Sequence, residues 1–359
     1  MDIIHDDDDL EIIDFIINGG LPRQIYIRND HFHGYDNESF RKRFRISKVC
    51  AIEILQQIEM YLEFPTDRNN CVSPMNQLLL TLRLYSTGGH LLSVADFCGV
   101  HVSTACRIVR RVSEAIARLY RQYIQMATTP DDMMACQREF FNIASFPRVV
   151  GVIDCTHIKI DSPGGEDPEI FRNRKGYFSI NVQMICDANL KIMNVVARWP
   201  GSSHDSTIFS NSRVRVNFEQ NIYENCLLLG DSGYPNRRYL MTPLLNPATP
   251  AQQLYNEAHI RTRNCIERCF GVIKRRFPIL AYGCRLLINS TLSIIMATSV
   301  LHNKALQVGD LNVPNLPDEV NIHELDVQIQ NGNIPVPNMD GIGIVGFRHE
   351  LINNYFANL

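Results

Sequence analysis

Residues 149–160 read VVGVIDCTHIKI. Val149, Val150, Val152 and Ile153 are apolar on both sides of an extended chain, the pattern of a central strand covered on both faces, and the strand delivers a carboxylate, Asp154. Two more acids sit in similarly apolar surroundings: Asp231 in LLLGDSGYP (227–235) and Glu267 in RNCIERCFGVIKRRF (263–277). Taken singly, an Asp after a strand reads first as a turn or a helix cap. Taken together, the three can be carried into one water-poor site, where their mutual repulsion requires a cation.

The elements around them agree with that reading. Leu227, Leu228 and Leu229 repeat the buried-strand pattern before Gly230 and Asp231. If the two strands are parallel neighbours, both Asp side chains reach one edge of an α/β sheet, where such sheets place their ligands. Between them Ile180, Val182 and Met184 alternate with Ser179, Asn181 and Gln183, which is the period of a strand. Asp187, Ala188 and Asn189 supply a turn, and residues 191–196 a return strand. A helix is expected from Ser203–Asp205 toward Phe218. Thr249 as cap, Pro250 at the first position and Pro278 beyond the end frame a long helix with an apolar stripe of Ile266, Phe270, Ile273 and Phe277, and Glu267 flanks that stripe.

In chain order, the strings GVIDCTHIKI, NRKGYFSINVQMICDA, RWPGSSHDSTIF, LLGDSGYP and IERCFGVIKRRFP resemble the PIF/Harbinger-type DDE transposases and their domesticated nuclease relatives. The resemblance is strong over residues 148–305 and weaker over the helical region before them. It implies an α/β ribonuclease-H-like catalytic core, a mixed sheet flanked by helices; ahead of it, leucine-rich periodicity at Leu78–Leu84 and again from Ile108 to Tyr120 reads as an N-terminal all-helical domain with a helix-turn-helix-like unit. It also implies that Asp154, Asp231 and Glu267 form the catalytic triad, and that Asp205 in SSHDST is a further metal ligand or its support; the alternative for Asp205 is a helix cap. The implied chemistry is metal-dependent cleavage of DNA phosphodiesters, with strand transfer as an extension. Mg²⁺ or Mn²⁺, two per site, suits such hard oxygen donors. A separate Myb/SANT-like DNA-binding partner and a nuclear location, with the cytoplasm as a second compartment, are implied as well. His157 and His204 flank the acids and fit supporting donors, although a lone His near a strand end is more often a satisfied polar residue, so neither is assigned a catalytic role. An oligomer is compatible with all of this.

Charge divides along the chain. Residues 1–20 hold seven acids and no Lys or Arg, and residues 310–359 hold seven acids and one Arg, so a formal net charge of −3 leaves +10 on residues 21–309. That sign suits a phosphate-binding body between solvated acidic ends. The chain therefore divides into an acidic segment 1–39, a helical domain 40–130, a nuclease domain 148–308 and an Asn/Pro-rich acidic tail 309–359 with a short helix at 348–356.

Candidate DNA contacts are Arg268, Lys274, Arg275 and Arg276 on the Glu267 helix, and Arg174 with Lys175 in the loop SPGGEDPEIFRNRKG. An ordinary solvated helix face is the alternative for the first group. In SVADFCGVHVSTACRIVRRV (93–112), Ala95, Gly99 and Val100 fit a helix-turn-helix, with Arg107 and Arg111 directed at phosphates; a purely structural helix pair is the competing reading. RKRFR (41–45) also fits a nuclear-import signal. Eleven scattered cysteines read as reduced core residues. No run of apolar residues is long enough to span a membrane.

If the cutting activity were lost, the same chain would serve as a DNA- or partner-binding protein; the presence of all three acids speaks against that loss.

Overall fold

The computed structural model describes residues 28–64, 71–310 and 345–359. The acidic run over residues 1–20 and most of the Asn/Pro-rich run, 311–344, lie outside the described residues.

Helices come first. Asp36 caps α1 (Asn37–Phe44), Ser47 caps α2 (Lys48–Leu62), and Ser73 with Pro74 opens α3 (Pro74–Thr87), each cap accepting a backbone N–H of the first turn. α4 (Leu91–Cys98) ends at Gly99, whose φ of +61° is a left-handed conformation suited to glycine. α5 (Val102–Ala117) leaves at 97° to α4. His101 caps α5, its Nδ1 accepting from Ser103 N at 3.2 Å. α6 (Tyr120–Tyr123) and α7 (Pro130–Ala144) lead to the sheet.

β1 (Val149–Lys159) is the central strand of a five-stranded mixed sheet. β2 (Ser179–Cys186) and β3 (Ile192–Pro200) follow antiparallel on one side. The helix expected between Ser203 and Phe218 is two: α8 (Asp205–Ser210) and α9 (Arg213–Glu219), divided where Ser212 caps the second. β4 (Leu227–Leu229) and β5 (Leu240–Met241) complete the other side in parallel, giving the order β3-β2-β1-β4-β5. α10 (Pro250–Arg276) begins with a capping box between Thr249 and Gln252, and α11 (Ile279–Tyr282), α12 (Ile288–Gln307) and α13 (Val345–Asn354) follow. This is the ribonuclease-H-like arrangement expected, a mixed sheet between helices with an all-helical N-terminal region.

The sheet faces differ. Val152, Val182, Met184 and Leu229 face α10 and the N-terminal helices, whereas Val150, Ile153, Ile185 and Leu228 face Phe209, Val214 and Phe218 of α8 and α9. A register shift at Gly151 sets this alternation, and the position tolerates nothing larger, since an added Cβ would lie 2.7 Å from Ile185 Cγ2. β2 is buried along its whole length, so the polar side of its alternation, Ser179, Asn181 and Gln183, is interior rather than solvated.

The core does not stop at the expected boundary near residue 130. Phe40, Ile54, Leu82, Ile108, Val152, Ile266 and Leu301 belong to one cluster, with Tyr85 edge-on to Phe277 at 6.3 Å. The helical region and the sheet are thus one folded unit. The short helix expected at 348–356 is present as α13, and the last residues pack on the body: Phe356 lies against Phe146 and Tyr255 at 5.4 and 5.5 Å, and Arg348 Nη1 donates to Thr242 O at 3.3 Å. All eleven cysteines are free thiols, most of them buried. Among the described residues no single helix is long and apolar enough to cross a membrane.

Candidate metal centre

Asp154 lies in the middle of β1 rather than at its end, and it is reachable because the neighbouring strand β4 stops early. Val152 pairs with Leu229; two residues on from that pair are Asp154 and Asp231. Asp154 shares the α10 face of the sheet with Val152. Asp205 approaches from the opposite face, as the first residue of α8. One carboxylate oxygen from each of Asp154, Asp205 and Asp231 lies within 4.8 Å of the other two, and all three residues are half-buried. Among the described residues no other group of His, Cys, Asp and Glu comes this close.

Each acid is held by neighbours. Cys155 N donates to Asp154 Oδ1 at 2.7 Å, and Gly233 N donates to Asp231 Oδ1 at 3.0 Å in a tight turn after β4. Asn181 on β2 donates through Nδ2 to Asp205 Oδ1 and to Ser203 O, both at 2.9 Å. The cap reading of Asp205 fails here: His204 occupies the N-cap of α8 without a side-chain cap bond, and the Asp205 carboxylate turns to Asn181 instead.

Glu267 stands beside this trio, not within it. Its Oε1 accepts from Arg263 Nη2 at 2.6 Å, and the same guanidinium donates through Nη1 to Asp154 Oδ2 at 3.0 Å. Arg263 and Glu267 are one helical turn apart on α10, so both face the site.

The electrostatics record crowding. Burial pushes the Asp154 carboxyl up to about 7 despite the opposing pull of Arg263, with Asp231 and Asp205 adding to the rise. Burial also raises the pKa of Asp231, again against Arg263 and with Asp205 and Glu267 contributing. Burial disfavours the Arg263 charge, but Asp154, Glu267 and Asp231 outweigh it and hold the guanidinium protonated. One buried cation against four carboxylates leaves the site short of positive charge. The donors are all carboxylate oxygens, which fit a hard divalent ion such as Mg²⁺ or Mn²⁺ and not a thiophilic one. Asp154, Asp205 and Asp231 can hold such an ion, with Glu267 adjacent.

The surrounding groups fall into distinct settings. On the Asp154 face of β1, Lys274 Nζ donates to Thr156 Oγ1 at 2.6 Å. Burial, then the nearby Lys175, lowers the pKa of Lys274. Arg174 and Lys175 are exposed on the loop after β1, and Arg174 Nη2 meets His204 Nδ1 at 2.6 Å. His157 Nδ1 pairs with Ser179 Oγ at 3.0 Å, and burial depresses its pKa against the opposing pull of Asp205. Behind them Cys155 Sγ and Tyr234 Oη lie 3.3 Å apart.

Among the expected DNA contacts, Arg268 on α10 and Arg107 on α5 are exposed. Arg275 is half-buried, with Nε donating to Gly271 O at 3.1 Å. Arg276 must be withdrawn from that set: it is 2% exposed and donates to Arg45 O and Asp310 O at 3.3 and 2.7 Å, joining the helical region to the end of α12. Arg111 is half-buried with its guanidinium 4.3 Å from the Phe64 ring, a packing role that leaves Arg107 as the more available of the two.

Two residues that hold the site were missed in the sequence. Arg263 had a signal, an Arg four residues before the Glu on one helix. Asn181 had a weaker one, a polar residue alternating with apolar ones on a strand next to Asp154.

Comparison with known proteins agrees with the geometry. Residues 153–303 match the family model described as DDE superfamily endonuclease. The chain is 36% identical over 251 residues to "Putative nuclease HARBI1" of Bos taurus, covering 69% of this chain and 72% of that protein. It is 30% identical over 275 residues to the protein of the same name from Xenopus laevis, covering 76% and 74%. It is 24% identical over 319 residues to "Protein ALP1-like" of Arabidopsis thaliana, covering 83% and 77%. No solved structure gives a significant match.

Proposed function

Because the chain belongs to the DDE superfamily endonucleases, as a relative of the domesticated transposase-derived nucleases, we propose that it hydrolyses DNA phosphodiester bonds at the acidic centre with two divalent ions, Mg²⁺ or Mn²⁺. The observation that carries this reading is the convergence of Asp154, Asp205 and Asp231 from two strands and a helix within 4.8 Å.

Asp154 and Asp231 would hold the ions from β1 and the turn after β4, Asp205 would bind from the opposite face of the sheet, and Glu267 would complete the set from α10. Bound there, a divalent cation supplies Lewis-acid stabilisation of the scissile phosphate and a nucleophilic water at neutral pH. The protein supplies the rest. Asn181 fixes the direction of the Asp205 carboxylate, and the Gly233 N–H does the same for Asp231. Lys274, held against Thr156, and the exposed Arg174 and Lys175 offer positive charge to the phosphates flanking the cut. Arg268 and Arg275 extend that charge along α10, and Arg107 offers a second contact from α5. Buried Tyr234, 3.3 Å from Cys155 Sγ, backs the site.

The same reading extends to joining of the freed 3′ end to target DNA, to a Myb/SANT-like partner that brings the chain to its site, and to action in the nucleus. It is tested by incubating end-labelled duplex DNA with the full chain and Mg²⁺ or Mn²⁺, alone and with such a partner. Wild-type cutting that Asp231→Asn abolishes supports it. DNA retention without cutting under every condition would instead make the chain a binding protein that keeps the fold.

A further inference from the structure

Glu267 lies outside the carboxylate cluster, paired with a residue of its own helix. Arg263 is 8% exposed and reaches two acids at once, Asp154 Oδ2 at 3.0 Å and Glu267 Oε1 at 2.6 Å. A guanidinium does not lose its proton under such conditions, so the site always contains a cation of its own. We propose that Arg263 is a resident counter-cation that competes with the divalent metal for Asp154 and Glu267, and that Glu267 becomes a metal ligand only when Arg263 releases it.

The inference rests on the reading of the acids as a cation site, and it follows from charge and geometry. Asp154, Asp205 and Asp231 are clustered in half-buried positions with Glu267 beside them, and any metal-free state must offset part of their repulsion. Arg263 is the cation that does so in this structure, and its planar fork matches two carboxylates better than an ammonium could. A divalent ion brings twice the charge and direct oxygen bonds, so it displaces the weaker partner. The bond most open to exchange is the one to Glu267: that side chain is 31% exposed and lies on a helix surface, whereas Asp154 is 17% exposed and set in the central strand. The competing role, a fixed brace that merely orients Asp154 and Glu267, predicts the opposite effect on metal affinity when the arginine is removed.

The test is Mn²⁺ binding to the full chain by titration calorimetry, with melting curves taken with and without the ion, for wild type, Arg263→Gln and Arg263→Lys. Competition predicts that Arg263→Gln binds Mn²⁺ about tenfold more tightly, corresponding to about 1.4 kcal/mol, while its metal-free form melts lower and gains more on Mn²⁺ addition than wild type does. Arg263→Lys, which keeps the charge and loses the fork, falls between the two. Equal or weaker binding by Arg263→Gln overturns the proposal in favour of the brace. Arginine side-chain nitrogen NMR of the wild type gives a result even if the glutamine variant does not fold: the Arg263 Nε–H signal should shift during a Mg²⁺ titration, and a signal unmoved at saturation overturns competition. No Mn²⁺ binding by wild type or by either variant would overturn the cation-site reading itself, a different outcome from wild-type binding that is indifferent to residue 263.

Discussion

Asn181 donates through Nδ2 to Asp205 Oδ1 at 2.9 Å from a position on β2 that is 1% exposed. With the bond from the same amide to Ser203 O, it ties the start of the short helix α8 to the sheet at the point where its acid enters the carboxylate cluster. Groups that orient a metal ligand are worth about 10–100-fold in metal affinity. Asn181→Leu should therefore weaken Mn²⁺ binding by about that factor, read by calorimetry, with a loss of DNA cutting to match. Unchanged affinity would mean that Asp205 is not a ligand.

Lys274 and Arg276 are two residues apart on α10 yet should behave in opposite ways. Lys274 reaches Thr156 beside the acids, so Lys274→Met should weaken DNA binding and flatten the dependence of log K on log salt by about 0.9. Arg276 is interior and bonded to the carbonyls of Arg45 and Asp310, so Arg276→Met should cost about 1–3 kcal/mol of stability in urea denaturation and leave the salt slope unchanged.

Metal-free stability should fall as pH rises, in part through Asp154. Burial raises this carboxyl to about 7, so between the unfolded value near 3.8 and about 7 the native state binds the proton more tightly than the unfolded chain does. Stability from this group is present at low pH and is lost as pH climbs through that window, with a slope of at most about 1.4 kcal/mol per pH unit. Asp231 shifts in the same direction. Urea denaturation in chelator at several pH values should show a shallower decline for Asp154→Asn than for wild type; parallel curves would contradict the assignment.

Phe356, 2% exposed, closes the core against Phe146 and Tyr255 although it lies in what composition marks as a tail. Phe356→Ala should cost about 3–5 kcal/mol, the usual range for emptying a buried aromatic position. A loss under about 1 kcal/mol, the size expected of a surface change, would show that the C-terminal residues are not part of the folded unit.

The fold was legible wherever a pattern was local. The double-sided apolar run at Val149–Ile153, the three leucines before Gly230, and the Thr249/Pro250 start of α10 each dictated their own element, and the acids followed from them. What stayed hidden depended on partners distant in the chain. The alternation of Ser179, Asn181 and Gln183 with apolar residues marks a strand but not which residues cover its polar side, and the contact of Asn181 with Asp205 joins positions 24 apart. Arg276 looked like its basic neighbours, because the helical region that buries it begins over two hundred residues earlier. For the same reason the helical region looked like a domain of its own: the contacts that fuse it to the sheet, such as Tyr85 on Phe277, join segments far apart in sequence. Asp205 could be read as a cap or a ligand until the position of Asn181 was known.

Manganese-edge anomalous diffraction from crystals of the wild-type chain soaked in Mn²⁺ would examine the acidic centre itself. Two anomalous peaks bounded by Asp154, Asp205 and Asp231, with Glu267 turned from Arg263 toward one of them, is the predicted result. Saturated crystals with no peak at these three acids, or with manganese only elsewhere, would contradict a metal-dependent nuclease centre here.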